Sequence, residues 1–233
     1  RTYGKNKIIH NYFQNQNLIR NYSHCYIFSI GYTNDEKLNQ QIDHESIIYE
    51  DILKVPLIDT YYYLPHKVMA TFYILNNLNK KFDYLLKMDD DILIKTKQLI
   101  PAIYKDHQDR QFISYVNAKP LITRDKKNKY YSIYEKHKDT YHFPYPEKSA
   151  YIVRRDIISN ITSRFISKQI FPFEDVTIGY ILKDLNIEIK NYQQMQICLE
   201  MGYNQCDYPY VIMIHRFLKN REKYINFYKD DYS

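Results

Sequence analysis

The stretch YLLKMDDDILI, Tyr84 to Ile94, decides how the rest of the chain is read. Three consecutive aspartates stand between two apolar runs that read as buried strand. Like charges this close repel, and burying them without a counter-charge is costly. A bound cation resolves the conflict; so does plain exposure on a loop. Two further stretches bear on the choice: FPFEDVTIGYIL, Phe171 to Leu182, and YVIMIHRF, Tyr210 to Phe217.

The chain has 233 residues and is 45% hydrophobic, enough for one domain with a sizeable core. Four glycines, no tryptophan and 27 tyrosines point to an AT-rich coding bias, which weakens any reading of tyrosine-rich stretches as binding surfaces. A net charge of +6 fits an anionic ligand such as a nucleotide diphosphate, or generic solubility. Lys and Arg are spread along the chain, which argues against a basic nucleic-acid face. Cys25, Cys198 and Cys206 imply no disulfide framework, and a Cys198–Cys206 pair stays open. No apolar run approaches the ~18–20 residues of a membrane span. The polar start, Arg1 to Arg20, is neither signal peptide nor anchor, and its abruptness suggests a domain of a longer protein.

Periodicity places strands at Tyr26–Ile30, Asp83–Met88, Phe112–Val116, Tyr151–Val153 and Tyr210–Ile214, with an apolar–polar alternation over Ile47–Leu53. Helices are expected over Tyr61–Leu78, with Pro65 in the first turn, and over Leu99–Tyr104, Asp156–Ile166 and Asp175–Leu185. Lys119 to Pro146 is polar and reads as a long loop. Alternating strands and helices predict an α/β sandwich with a mostly parallel sheet. Ligands of such sheets bind beyond the strands' carboxyl ends, where Asp89–Asp91 and His215 both fall.

A hard divalent cation takes oxygen ligands and commonly bridges carboxylates to a nucleotide's phosphates. Against that stands a charged turn at a strand end. Glu174 and Asp175 open a helix, where capping and the helix dipole favour acids in any case. The same place projects a carboxylate into a cleft as a general base. His215 is either a surface residue or an imidazole ligand to the same metal.

Taken together and in this order, the segments resemble glycosyltransferase family 31, the inverting β-1,3-glycosyltransferases. RTYG at Arg1–Gly4 is similar to the family's R-T-W-G, with Tyr3 replacing tryptophan. HESIIYEDIL (His44–Leu53) is similar to its E-x-x-x-Y-x-D-I-L block, and DTYYYLPHKV (Asp59–Val68) to its D-x-Y-x-N-L-T-x-K helix. LLKMDDDILI carries K-x-D-D-D, and YPEKSAYIVRRD (Tyr145–Asp156) is similar to Y-P…G-Y-V-x-S-x-D. FEDVTIGYIL carries E-D-V-x-x-G, its T-I-G-Y portion leaning toward Fringe. Lys148-Ser149-Ala150 departs from the usual small, glycine-rich approach to the Y-V strand, which leaves donor choice open.

The resemblance implies a single GT-A domain over residues 1–233, Rossmann-like and flanked by helices. It implies a UDP-sugar donor, Mn²⁺ (or Mg²⁺) and a glycan or glycoprotein acceptor. Carried over, Asp91 and His215 would ligate the metal, and Asp90 or Asp89 would contact the ribose. Asp175 would be the base. Lys67 and Arg1 are the candidate cations on the donor. The compartment implied is the Golgi lumen, through an N-terminal anchor outside this fragment; a cytosolic or virus-encoded homologue also fits. The rivals are a catalytically weak carbohydrate- or nucleotide-sugar-binding domain of the same fold and a basic nucleic-acid module. Asn21-Tyr22-Ser23 and Asn160-Ile161-Thr162 fit the N-glycosylation pattern, but such triplets are cheap in an asparagine-rich chain. Tyr130, Tyr131 and Tyr134 are candidates for stacking on an acceptor sugar, against a background of tyrosine bias.

Overall fold

The computed structural model describes residues 18–19, 22–78, 81–128, 131, 142–167, 171–195 and 212–215. Two short strands, β1 (Leu18–Ile19) and β2 (Tyr22–Ser23), precede β3 (Phe28–Tyr32). Helix α1 (Glu36–Tyr49) starts on Asp35, whose side chain accepts from the Leu38 amide at 3.1 Å. It ends on Glu50 in the left-handed region (φ 53°). β4 (Ile52–Ile58) follows and pairs parallel with β3. The alternation expected over Ile47–Leu53 is thus corrected: it spans a helix end, a turn and a strand start. Ile47 and Ile48 are exposed on α1, which buries only Glu45, so the helix carried little apolar signal. Gly31 allows the β3–β4 approach, since a Cβ there would stand 2.5 Å from the Leu57 carbonyl oxygen.

A 3₁₀ turn (Tyr61–Tyr63) leads into α2 (Leu64–Asn77), with Pro65 in its first turn and Val68 and Phe72 buried as their helical spacing predicts; Met69 is buried beside them. Then come β5 (Tyr84–Met88), the aspartates, β6 (Ile92–Ile94), α3 (Thr96–Asp106), β7 (Phe112–Asn117) and β8 (Tyr145–Arg154). α4 (Ile158–Ile166), α5 (Glu174–Asp184), β9 (Ile189–Asn191) and β10 (Met213–His215) complete the described chain. Thr162 is buried in α4 and donates back to the Ile158 and Ser159 carbonyls, so the second glycosylation triplet lies within a helix.

The four-stranded sheet has the order β5-β8-β7-β9. β8 is antiparallel to both β5 and β7, while β7 and β9 are parallel. This corrects the expected mostly parallel pairing: β5, β7 and β9 share a direction, but β8 runs between two of them the other way. An antiparallel neighbour needs no crossover connection, and β8 follows β7 directly in the order of the described elements. It is also longer than the short strand expected at Tyr151–Val153. β8 is buried on both faces. Tyr151 and Val153 pack with Phe72, Ile158, Ile161 and Ile178; Ala150 and Ile152 pack with Ile94, Leu99, Ile103 and Met213. Strand alternation therefore serves two cores at once in a mixed α/β architecture.

Candidate active site

β5 and β8 are in register so that Lys87 and Tyr151 are Cα partners. Both side chains end on the same carboxylate, that of Glu174 at the start of α5. The Tyr151 hydroxyl donates to Glu174 Oε1, and Lys87 Nζ lies 3.1 Å from Oε2. Lys87 Nζ also donates to Asp89 Oδ1 at 3.0 Å. Glu174 is buried, and the Lys87 side chain is 12% exposed.

Burial by itself would lower the Lys87 pKa, but the charges of Glu174 and Asp89 outweigh it and hold the ammonium well above its ordinary value. Burial, then Glu174, pushes the Tyr151 phenol up. Both groups stay protonated and act as fixed donors. Asp175 is different. Burial and then the neighbouring Glu174 charge push its pKa up to about 6; the Val176 amide, donating to Oδ1 at 2.8 Å, and the Lys87 charge only partly offset this. A carboxyl tuned toward neutral pH has the property a general base needs.

The three aspartates stand in different surroundings. Asp89 is half-buried and held by Lys87; Asp90 is exposed in the turn; Asp91 is half-buried beside β6. The Ile92 amide donates to the Asp89 carbonyl at 3.3 Å, closing that turn. β10 runs antiparallel to β6 with His215 opposite Ile92, one residue from Asp91. The sequence assigned Asp91 and His215 to one metal, and the backbone brings them to one place; of His215 only the backbone is described. Among the described residues no three His, Cys, Asp or Glu side chains cluster as a metal cage. A carboxylate and an imidazole are donor types that a hard cation such as Mn²⁺ accepts.

Lys67 pairs with Asp59 Oδ1 at 2.7 Å, while Asp59 Oδ2 accepts from the Gly31 amide at 3.1 Å. That places Lys67 at the carboxyl ends of β3 and β4, tied to Asp59. Arg1, Tyr3, Tyr130, Tyr134, Cys198 and Cys206 lie outside the described residues. Cys25 is free and exposed. Lys87 and Tyr151 were not singled out by the sequence reading, which named Glu174 only as an acid opening a helix beside Asp175. The signal was there: a lysine inside the apolar run YLLKM demands a buried counter-charge.

A family model described as Galactosyltransferase matches residues 6–193. This chain belongs to that family, glycosyltransferase family 31. The chain is 28% identical over 194 residues to beta-1,3-galactosyltransferase 1 of Mus musculus, covering 82% of this chain and 59% of the relative. It is 26% identical over 229 residues to the lactosylceramide 1,3-N-acetyl-beta-D-glucosaminyltransferase of Mus musculus, covering 94% and 61%. It is 25% identical over 186 residues to the UDP-GalNAc:beta-1,3-N-acetylgalactosaminyltransferase 1 of Homo sapiens, covering 78% and 56%. The chain thus spans somewhat over half the length of the curated relatives it matches. In this member of the galactosyltransferase family, the site just described lies mostly within the matched span; His215 lies beyond it.

Proposed function

We propose that this chain is a GT-A-type inverting transferase that moves a hexose or N-acetylhexosamine from a UDP-sugar to a sugar hydroxyl, forming a β-1,3 linkage. Family membership supports the reaction class, and all three relatives carry a 1,3 linkage in their names while differing in the sugar. The observation that carries the reading is Asp175: a partly buried carboxyl, pushed up to about 6, beside the Glu174–Lys87–Asp89 bridge.

Asp175 takes the proton of the acceptor hydroxyl as its oxygen attacks the anomeric carbon. The bond from that carbon to the UDP oxygen breaks on the opposite face, and UDP leaves with the electron pair. One displacement turns an α-linked donor into a β-linked product. Base help of this kind is worth about 10²–10⁴-fold. Asp90 and Asp89 face the donor at the β5 end, and Lys67 is the candidate cation for its phosphates. Asp91 and His215 would hold Mn²⁺ or Mg²⁺, which when bound neutralises the charge gathering on the leaving diphosphate. Lys87, committed to two carboxylates, serves the site's architecture and is not free to leave it.

The family reading also puts the enzyme in the Golgi lumen; no described helix is long and apolar enough to cross a membrane. A panel of UDP-galactose, UDP-N-acetylglucosamine and UDP-N-acetylgalactosamine tests the function, read as UDP release with and without Mn²⁺. One donor should give release that rises with a glycan acceptor and falls by at least ~10²-fold in Asp175→Asn. Release from none of the three, or full release by Asp175→Asn, would reject the reading.

A further inference from the structure

We propose that Lys87 is the positioning residue of this site: one ammonium, held between Asp89 at the end of β5 and Glu174 at the start of α5, sets where Asp175 stands relative to the donor-binding aspartates. The inference rests on the reading of Asp175 as the base.

Three observations carry it. Both oxygens of Glu174 are occupied, one by the Tyr151 hydroxyl and one by Lys87, so Glu174 is spent on holding and is not the proton acceptor. The start of α5 has no side-chain cap on Phe173; it is fixed by tertiary contacts instead. These are the Lys87–Tyr151 grip on Glu174, and Thr177, whose hydroxyl donates to the Phe171 carbonyl at 3.1 Å and accepts from its amide at 3.2 Å. Finally, the same Lys87 reaches Asp89 at 3.0 Å, so the strand end and the helix start share one cation. Shifting either partner shifts the other.

Among the described residues, Glu174 stands beside Asp175 on α5 and β5 brings Lys87; Asp175 in turn acts on Tyr151 of β8, and Asp89 reaches the group through Lys87. From α4, Arg164 pairs with Asp184 at the far end of α5, and from α2, Lys67 pairs with Asp59. Glu174 and Lys87 therefore act on Asp175 with opposite signs, as any ion pair beside it would, so turnover in the variant that removes both charges is the readout of positioning.

The test uses the full chain and the variants Glu174→Gln, Lys87→Met, the double variant and Asp175→Asn. Carboxyl ¹³C NMR of aspartate-labelled, metal-free protein follows the Asp175 titration, with Asp175→Asn giving the assignment. UDP release from an equimolar mixture of UDP-galactose, UDP-N-acetylglucosamine and UDP-N-acetylgalactosamine with Mn²⁺ gives turnover. The Asp175 midpoint should fall by roughly one pH unit in Glu174→Gln and rise by a similar amount in Lys87→Met. The double variant, which removes both charges and leaves no unpaired Glu174, should fold yet lose at least ~10-fold in kcat. It carries the test if Lys87→Met alone does not fold. Wild-type midpoints in folded single variants, or wild-type turnover in the double variant while Asp175→Asn is inactive, would overturn this inference alone. Normal transfer by Asp175→Asn would overturn the base reading and this inference with it.

Discussion

Lys87 and Tyr151 face each other across the antiparallel β5–β8 pair, and both side chains converge on Glu174. A cross-strand pair thereby holds a helix by its first residue. Removing one part of such a buried network costs more than its average contact is worth, because the remaining group is left unsatisfied. Tyr151→Phe takes one donor from Glu174 and keeps the ring that stacks on Phe112 at 5.1 Å. It should lower unfolding free energy by ~1–3 kcal/mol, measured by urea denaturation at pH 7.5. A change within error would show that the Tyr151 hydroxyl is not holding Glu174.

Asp175→Asn should lose at least ~10²-fold in turnover while leaving the donor KM close to wild type. Initial rates at varied donor settle both numbers. A large rise in KM with unchanged kcat would move Asp175 from the chemistry to binding.

The pH dependence has a definite sign. The base must be unprotonated, so kcat/KM should rise with pH through a midpoint near 6, the value to which burial and Glu174 push Asp175. Stability runs the other way. A carboxyl whose folded pKa lies above its ordinary value of 3.8 gives stability that is full below that value and is lost as pH rises through about 6. Asp175→Asn should therefore be more stable than wild type at pH 7.5, by ~1–3 kcal/mol, and equal to it near pH 3.5. Paired melting curves at the two pH values measure this.

Gly179 is the glycine of the E-D-V-x-x-G block, and its role is a close approach. A Cβ there would lie 2.6 Å from Tyr145 Cβ and 2.8 Å from the Pro144 carbonyl oxygen. Gly179→Ala should push α5 off the start of β8 and cost ~1–3 kcal/mol, seen as a lower Tm. An unchanged Tm would show that the strand yields without strain.

Asp91→Ala should abolish Mn²⁺-dependent stabilisation by UDP in a thermal-shift assay, while the Lys87–Glu174 pair keeps the apo fold. Asp89→Ala frees one side of Lys87 and should lower the apo Tm as well. Equal responses of the two variants, with and without Mn²⁺, would contradict the separation of their roles.

The sequence alone placed the candidate residues at strand and helix ends. Apolar periodicity located β5, α2, α4 and α5, because an amphipathic face is a local pattern that survives in one dimension. It also put Asp89–Asp91 just past a strand and Asp175 in a first helical turn. Helix α1 was illegible because Glu45 is its one buried residue, so it has no apolar stripe to read. The reversal of β8 was hidden too, since apolar periodicity marks a strand but carries no information on its direction. Tertiary structure decided the rest. Lys87, Tyr151 and Glu174 lie 23 or more residues apart in pairs that must meet across the sheet. Their charges and hydroxyl acquire meaning only when burial removes water and makes each depend on the others. Asp175 likewise owes its raised pKa to desolvation, and desolvation is a property of the fold.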